Sequence, residues 1–304
     1  MFFKRSSKKS PPPMDLSELA SPTIERRYRS DVPYLLPKDL GEGDRLNFQH
    51  YALRQALKGN YVAPLGKDIQ QILDVGSGTG IWGHEIAHQF PQARIFGLDI
   101  ESPQTVTLTA KAVPPPMNYH FLQGDILAGL PFPEPVFDFT HQRLLIFAIP
   151  AEKWPFVISE LVRVTRSGGW IELIELEGFY NMGPVMEQAN SWLKQSLQFR
   201  GIQMNVTAHL DTMLQQQARN QGVQIKHIKK QWLDVPIGQW KHERIGLLVE
   251  KDIYTIFSAL KPIICAQLKI EPSVYDNVLQ RLVPEWNRYK AHLRCCIVSA
   301  QVMQ

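Results

Sequence analysis

The sequence contains little cysteine, and none of it lies in a metal-binding pattern. Its 304 residues include three cysteines, which are Cys265 and the neighbours Cys295 and Cys296. Three cysteines without an even spacing make no disulfide framework, so we expect a reducing compartment and a cytoplasmic location. No Cys-x-x-Cys pair occurs, and the nine histidines are not clustered at metal spacing. We therefore expect no structural zinc and no other bound metal.

Long hydrophobic runs are also absent. No stretch of the sequence approaches the roughly 18 apolar residues that a membrane-spanning helix needs. The first residues are basic but include no apolar core, which argues against a signal peptide. We therefore expect no membrane as a partner.

Acidic residues are missing from residues 1–13, which carry Lys4, Arg5, Lys8 and Lys9. The rest of the chain holds 29 basic and 29 acidic residues, so the net charge of +4 belongs to this segment. A basic stretch with serines and prolines and few apolar residues is typical of a disordered, solvated tail. A weak contact with nucleic acid or anionic lipid is the alternative.

The remaining composition, 44% hydrophobic and 20% charged, is that of a globular protein with one large domain or two small ones. Helical patterns occupy residues 81–90 and 154–165, and Ser167 to Gly169 are expected to close the second helix. Apolar runs that suit buried strands occupy residues 71–75, 93–100, 118–126, 136–142 and 170–176. Strands that alternate with helices predict βαβ units, and hence an α/β fold with a parallel sheet.

Helical patterns dominate both flanks of this region. Before it, Leu46, His50, Leu53 and Leu57 recur on one face of a predicted helix. After residue 180, helices are predicted at 185–200, 205–218, 243–261 and 272–293, and strands at 224–235 and over the last residues. The domains we expect are a basic tail 1–13, a helical cap or lid 14–60, and a main domain 61–304 with a helical insertion at 180–223.

Three alternate glycines, Gly76, Gly78 and Gly80, join the first predicted strand to a helix. Glycines let the backbone turn sharply and approach a ligand closely, and the helix start adds free N–H groups beside them. Asp99 lies nineteen residues after Gly80, at the end of the second predicted strand. In a doubly wound sheet, an acid there can accept hydrogen bonds from ribose hydroxyls. The pattern predicts a site for a ribose-bearing ligand.

The glycine spacing argues against a dinucleotide. In the G-x-G-x-x-G fingerprint the third glycine would fall at Ile81, but here it comes one residue earlier. Asp74 precedes Gly76 by two residues, and a carboxylate at that place favours an ammonium group, directly or through water. The pattern D-x-G-x-G-x-G therefore suits a ligand with an amino-acid end and no pyrophosphate.

These motifs resemble those of the class I S-adenosylmethionine-dependent methyltransferases. The resembling segments are DVGSGTG (74–80), GLDI (97–100), QGDI (123–126), FDFTHQRLL (137–145) and RVTRSGGWIELIE (163–175). Upstream, YLLPKDLGEGDRLNFQH (34–50) resembles LaeA-type and bacterial small-molecule methyltransferases. The resemblance implies a doubly wound, mostly parallel seven-stranded sheet of the Rossmann-like methyltransferase fold, with an N-terminal helical cap and a helical insertion after the fifth strand.

The resemblance further implies S-adenosyl-L-methionine as cofactor. Asp99 would hold the ribose hydroxyls, Asp125 would meet the adenine amino group, and Ile126 would pack nearby. The implied cofactor-binding residues are Tyr34, Asp74, Gly76, Ser77, Gly78, Gly80, Asp99, Ile100, Asp125, Ile126, His141 and Gln142.

Methyl transfer needs in-line positioning of a nucleophile and, for some acceptors, a general base. The catalytic candidates are His141, at the end of the fourth strand, and Glu175 on the fifth, with Glu172 beside them. Packing for His141 and a structural hydrogen-bond role for Glu175 are the alternatives. Residues 28–50, which include Tyr28, Tyr34 and Arg45, either close over the cofactor as a lid or only anchor the segment.

A nucleic-acid acceptor is not expected. The Asn/Asp-Pro-Pro-Tyr/Phe motif is missing, since Val113 precedes the triple proline at 114–116, and the body of the chain is neutral. The insertion at 180–223 is rich in Met, Trp, Phe and Leu, which favours a small, partly apolar metabolite as the acceptor. A protein-directed or regulatory protein of the LaeA type is the alternative. Monomer and homodimer both stay open.

Overall fold

The computed structural model describes residues 33–36, 40–103 and 114–303. The predicted basic tail 1–13 and Tyr28 lie outside the described residues. Among those described, no helix is long and apolar enough to cross a membrane.

One seven-stranded sheet organises the described chain. Its strands are β1 (Gln71–Val75), β2 (Arg94–Asp99), β3 (Tyr119–Gln123), β4 (Phe137–Arg143), β5 (Thr165–Tyr180), β6 (Gln224–Pro236) and β7 (His292–Met303). Their order across the sheet is β3-β2-β1-β4-β5-β7-β6. The first five are parallel neighbours, and β7 runs antiparallel to both β5 and β6. The predicted α/β class and the mostly parallel seven-stranded sheet are confirmed.

Seven α-helices of the described chain surround the sheet. They are α1 (Leu40–Leu57), α2 (Ile81–Gln89), α3 (Trp154–Val164), α4 (Pro184–Gln198), α5 (Leu210–Asn220), α6 (Glu243–Leu268) and α7 (Pro272–Tyr289). Helices α4 and α5 lie between β5 and β6, and α6 and α7 lie between β6 and β7. Helix α1 precedes the sheet in sequence and packs against α6.

The end of α3 differs from the sequence prediction. The helix ends at Val164 and β5 begins at Thr165, so the expected turn at residues 167–169 lies inside a strand. The register of β4 with β5 shifts between Phe137 and Phe139, which accommodates the extra residues. Gly168 has φ +81°, a backbone conformation that favours glycine. The prediction of a closing turn was wrong because the glycines lie within β5, where its pairing with β4 is irregular.

Alternate residues of β1 face two different hydrophobic clusters. Ile72 packs with Trp82, Ile86 and Ile95 on the side of α2, whereas Leu73 belongs to the larger cluster under the other helices. Successive strand residues point to opposite faces, so the sheet is covered on both sides. Full burial of each such side chain stabilises the fold by about 1.5–3 kcal/mol. The carboxyl ends of β1, β2 and β4 are consequently held at one rigid edge.

Candidate functional site

A large cavity opens at the carboxyl ends of β1, β2 and β4. It encloses about 1260 Å³, part of which is open to solvent. In a doubly wound sheet this edge is where ligands bind. Nine of the twelve predicted cofactor residues line it, namely Tyr34, Asp74, Gly76, Ser77, Gly78, Asp99, Ile100, Asp125 and Ile126. The other three, Gly80, His141 and Gln142, do not.

The glycine turn has the backbone geometry that the sequence indicated. Gly76 has φ +72°, and a Cβ there would lie 2.5–2.9 Å from the side chain of Leu145 in the opposite cavity wall. Gly80 has φ +78° and stands at the start of α2. A side chain at Gly76 would therefore be strained and would also displace the wall of the cavity. Gly80 does not line the cavity, but its backbone conformation sets where α2 begins.

Asp99 is fixed by the backbone at the mouth of the cavity. Its Oδ2 accepts a hydrogen bond from the Gly78 N–H at 2.8 Å, and its Oδ1 accepts one from the Glu101 N–H at 2.9 Å. Hydrogen bonds from N–H groups to a carboxylate are among the stronger ones in proteins. Asp99 therefore ties the glycine turn to the end of β2 and presents a preorganised acceptor there.

Asp125 has a comparable place after β3. It caps a short 3₁₀ helix, Ile126–Ala128, by accepting a hydrogen bond from the Leu127 N–H at 2.8 Å. This cap orients the carboxylate and places Ile126 in the same stretch of cavity wall. The structure thus brings a carboxylate and an apolar side chain together, an arrangement that can hold a flat base with an amino group.

Behind the wall, His141 orients Asp74. Its Nδ1 lies 2.9 Å from Asp74 Oδ1, and its ring stacks on Trp82 with centroids 3.9 Å apart. Burial lowers the pKa of His141, so the ring is neutral near pH 7 and its Nδ1–H donates to the carboxylate. His141 is fully buried and does not line the cavity. A direct catalytic role for it stays a prediction.

Glu175 and Gln142 are also fully buried behind the cavity. The Glu175 carboxylate accepts hydrogen bonds from the N–H groups of Leu145 and Ile146, at 3.2 and 2.9 Å, and from Gln142 Nε2 at 3.2 Å. Burial raises the pKa of Glu175 to about 7. Glu175 therefore holds the loop after β4, which carries the cavity wall, and its catalytic role likewise stays a prediction.

Sequence reasoning did not single out Arg143, the last residue of β4. It lines the cavity, and its Nη2 lies 2.8 Å from His50 Nδ1 on α1. Burial lowers the pKa of the Arg143 guanidinium, and the negative charges of Asp74 and Glu85 oppose this effect only in part. A sequence signal for it exists, because Arg143 is the one charged side chain at the end of the fourth predicted strand in the segment FDFTHQRLL.

A second cavity of about 660 Å³, also partly open, adjoins the first. Both cavities share four wall residues: Tyr34, Leu46, Gln49 and Leu144. Most of the lining is apolar, from α1, α6, the loop after β4 and the ends of β5 to β7, and includes Leu36, Ala52, Leu53, Phe147, Val249, Ile253, Ile256 and Leu293. This cavity was not expected from the sequence, which indicated the insertion at 180–223 as the cover instead.

A buried charge network forms the polar side of the second cavity. Arg45 Nη1 donates to Asp252 Oδ1 at 2.6 Å, and its Nε and Nη2 donate to the two oxygens of Glu42 at 2.8 and 2.6 Å. The Tyr34 hydroxyl donates to Glu42 Oε1 at 2.8 Å, and burial raises the pKa of Tyr34 well above its ordinary value. Arg45 thus links α1 to α6 and borders the second cavity rather than the first.

No group of three or more His, Cys, Asp or Glu side chains that could hold a metal ion occurs in the described part of the chain. The cysteines there are free, and Cys295 and Cys296 are buried on β7.

Comparisons with known proteins find similarity to methyltransferases and to a regulator of secondary metabolism. The model of a family described as "Methyltransferase domain" matches residues 72–169. "Methyltransferase str3" of Strobilurus tenacellus is 31% identical over 150 residues, 49% of this chain and 50% of the relative. "Secondary metabolism regulator LAE1" of Cochliobolus heterostrophus is 30% identical over 149 residues, 47% of this chain and 46% of the relative.

One similarity extends further along the chain. "N-methyltransferase sirN" of Leptosphaeria maculans is 25% identical over 274 residues, 88% of this chain and 92% of the relative. The matches to the first relatives, in contrast, span about half of the length of those proteins. The matched segment 72–169 contains the glycine turn, Asp99 and Asp125 described above. Residues 72–169 therefore match a methyltransferase domain.

Proposed function

We propose that the protein transfers the methyl group of S-adenosyl-L-methionine to a small, partly apolar acceptor. One observation carries the proposal. The cavity with the glycine turn and the acids Asp99 and Asp125 adjoins an apolar cavity across the shared residues Tyr34, Leu46 and Gln49. A cavity walled by the glycine turn and by acids at strand ends suits the polar groups of the cofactor, and a neighbouring cavity walled mostly by apolar side chains suits an apolar acceptor.

The residues of the first cavity fit the cofactor. Asp99 would accept hydrogen bonds from the ribose hydroxyls, and Asp125 would accept one from the adenine amino group with Ile126 against the ring. Asp74, held by His141, would face the ammonium group. The bound cofactor supplies an electrophilic methyl group on its sulfonium, so the protein's main task is to align the acceptor with it.

We propose that His141 and Glu175 position the site from behind its wall. His141 fixes the orientation of Asp74, and Glu175 fixes the loop that carries Leu145. Both side chains are fully buried, so neither is placed to take a proton from an acceptor in the cavity without a rearrangement. Their removal should weaken binding and turnover together.

The second cavity supports a small acceptor. Its wall is mostly apolar, and its charged members Arg45 and Asp252 are already paired with each other. Such a wall favours an acceptor with an apolar body and few polar groups. Relatives named as methyltransferases, including the N-methyltransferase sirN, support this class of reaction. The acceptor atom of this protein can accordingly be a nitrogen.

The similarity to the regulator LAE1 favours the second candidate, a methyltransferase-fold protein with a regulatory or protein-directed role. The similarity to LAE1 covers 47% of this chain, and the similarity to the methyltransferase str3 covers 49%. The second cavity is only partly open, which supports a small molecule over a protein segment, because a protein segment would need an open groove.

The test uses S-adenosylmethionine with an isotopically labelled methyl group, the purified protein and a metabolite extract, analysed by mass spectrometry. Labelled small molecules that depend on the protein support the proposal. Label that appears only in protein supports the second candidate. No label in either fraction, although the cofactor binds, contradicts methyl transfer.

A matched pair of variants on α6 locates the acceptor. Ile253→Trp fills the second cavity, whereas Leu247→Trp places the same side chain at an exposed position, 43% accessible, on the same helix. We expect Ile253→Trp to keep S-adenosylhomocysteine binding and to lose methyl transfer, and Leu247→Trp to keep both. Normal transfer by Ile253→Trp would show that the acceptor binds elsewhere.

A further inference from the structure

Arg143 is a cation of the cofactor cavity with very few partners. The guanidinium carries five N–H donors and cannot lose its charge in a protein. Within the described residues its hydrogen-bond partner is His50 Nδ1, at 2.8 Å, and no carboxylate lies within ion-pair distance of it. A ring nitrogen that accepts this bond is unprotonated, so the partner is neutral. The charge of Arg143 is therefore uncompensated by direct contact.

Two other guanidinium groups of the described residues, one buried and one partly buried, are paired with acids. Arg45 contacts both Glu42 and Asp252, and Arg163 contacts Glu160. Taking a charge out of water without a partner is costly, which explains why these two guanidinium groups are paired. Arg143 differs from them because it lines a cavity, where a ligand can supply the missing anion.

The position of Arg143 indicates which part of a ligand it faces. In the sheet register Asp74 on β1 lies beside His141 on β4, and Arg143 follows His141 by two residues on the same strand face. Both Asp74 and Arg143 line the first cavity. The Asp74 carboxylate and the Arg143 guanidinium therefore lie near each other at one end of the cavity. This pair complements a ligand that carries an ammonium group and a carboxylate on the same carbon.

We propose that Arg143 binds the carboxylate at the amino-acid end of the cofactor, beside the ammonium group that faces Asp74. The proposal rests on the proposed function, since it takes S-adenosylmethionine as the ligand of this cavity. A planar guanidinium can bind a carboxylate through two parallel hydrogen bonds, which makes this contact both strong and directional. Arg143 then distinguishes an amino acid from the corresponding amine.

His50 is the positioning residue for this contact. Because its Nδ1 accepts from Arg143, its proton is on Nε2, which lies 3.3 Å from Glu85 Oε2 on α2. Glu85 is also 3.0 Å from Arg54 Nε. The ring is fully buried between α1, α2 and β4, so it fixes one edge of the guanidinium and leaves the remaining donors for the cavity.

The experiment compares two ligands by calorimetry. One is S-adenosylhomocysteine, and the other is S-adenosyl-3-thiopropylamine, which is the same molecule without the carboxylate. The wild type should bind the first about 10- to 150-fold more tightly, as expected for a hydrogen bond to a charged group. Arg143→Gln should abolish most of this preference while it leaves the affinity for the amine nearly unchanged.

Further variants separate binding from folding. Arg143→Lys keeps the charge without the planar fork, so we expect an intermediate preference. His50→Asn keeps an acceptor near the Nδ1 position and should keep most of the preference, whereas His50→Leu should lower it. Arg94→Gln removes the same charge from an exposed position at the start of β2 and serves as the matched control, with a wild-type preference expected.

The outcomes are distinct. A strong wild-type preference that Arg143→Gln removes supports the proposal. Equal affinities of the wild type for the two ligands overturn it, whatever the variants do, and so does an Arg143→Gln variant that weakens both ligands equally. If the wild type binds neither ligand, the proposed function itself fails, and the proposal fails with it.

Discussion

Glu172 on β5 should make the stability of the protein depend on pH. Its side chain is fully buried, and Oε2 accepts hydrogen bonds from the N–H groups of Val62 and Ala63 at 2.9 and 2.7 Å. Oε1 is buried without a hydrogen-bond partner in the described part of the chain. Burial disfavours the charged form and raises the pKa of Glu172 to about 7.

The sign of the effect follows from linkage. The unfolded carboxyl group has an ordinary pKa of about 4.5, so below that pH both states hold the proton and the stabilising contribution is complete. As the pH rises toward 7, the unfolded state loses the proton first and the folded state becomes relatively less stable. A difference of about 2.5 pKa units corresponds to about 3 kcal/mol.

The perturbation is Glu172→Gln. The amide oxygen can keep both backbone hydrogen bonds at the Oε2 position, and the side chain is neutral at every pH. Since Glu175 is buried and titrates in the same range, the informative quantity is the difference between variant and wild type. We expect the free energy of unfolding of the variant, relative to the wild type, to rise by about 3 kcal/mol between about pH 4 and about pH 8.

Urea unfolding followed by circular dichroism at several pH values measures this difference. The same series on Glu187→Gln, an exposed acid on α4, provides the control, and its difference should be flat. A Glu172→Gln difference that does not change with pH would refute the reasoning, because it would mean that Glu172 ionises in the folded state as easily as in the unfolded one.

Three further predictions concern the cofactor and the ends of the chain. Asp99→Ala removes the proposed acceptor of the ribose hydroxyls and the carboxylate that accepts from the Gly78 N–H. Calorimetry should therefore find S-adenosylhomocysteine bound about 5- to 150-fold more weakly, or about 1–3 kcal/mol, and equal affinity would exclude the ribose assignment. In hydrogen exchange, residues 33–36 should gain protection only when ligand is bound. Helix α1, held by the Arg45–Asp252 pair, should be protected with and without ligand. If residues 33–36 and α1 behave identically, no part of the predicted lid moves separately. A chain that begins at Met14 should keep its melting temperature and cofactor affinity, and a large loss of either would mean that the basic tail docks on the fold.

The strands at the centre of the sheet could be predicted from the sequence because local signals delimit them. The apolar run at 71–75 ends at the glycine turn, and the structure has β1 at the same residues. β5 is longer than its predicted range of 170–176 because it pairs with β4 on one side and with β7 over most of its length on the other. Such an extension depends on a partner strand more than a hundred residues away, which local patterns do not reveal.

The first cavity could be predicted from the sequence because local signals mark its wall residues as well. Asp74, Asp99 and Asp125 each stand at the end of a parallel strand or just beyond it, and parallel strands bring their carboxyl ends to one edge. The sequence does not show how deeply each of the individual side chains is buried. Every residue of β4 up to Gln142 is buried, because the strand lies between β1 and β5 with helices on both faces. Alternation therefore gives no sign that His141 lies buried behind the cavity wall.

Contacts between distant segments account for the rest. The second cavity exists because α1 packs on α6, and the Arg45–Asp252 hydrogen bond joins residues 207 positions apart. The Arg143–His50 contact spans 93 positions. A charged residue in a sequence shows that a partner is needed, but it does not identify that partner among the many opposite charges of the chain. These contacts follow only from the three-dimensional packing.

Titration of the wild-type protein with S-adenosylhomocysteine and, separately, with NAD tests the central claim most directly. The claim is that the cavity at the ends of β1, β2 and β4 holds S-adenosylmethionine. The early third glycine at Gly80 and the acids Asp99 and Asp125 predict saturable binding of S-adenosylhomocysteine with one molecule per chain and no binding of NAD. Tight binding of NAD, or no binding of S-adenosylhomocysteine, would contradict the account.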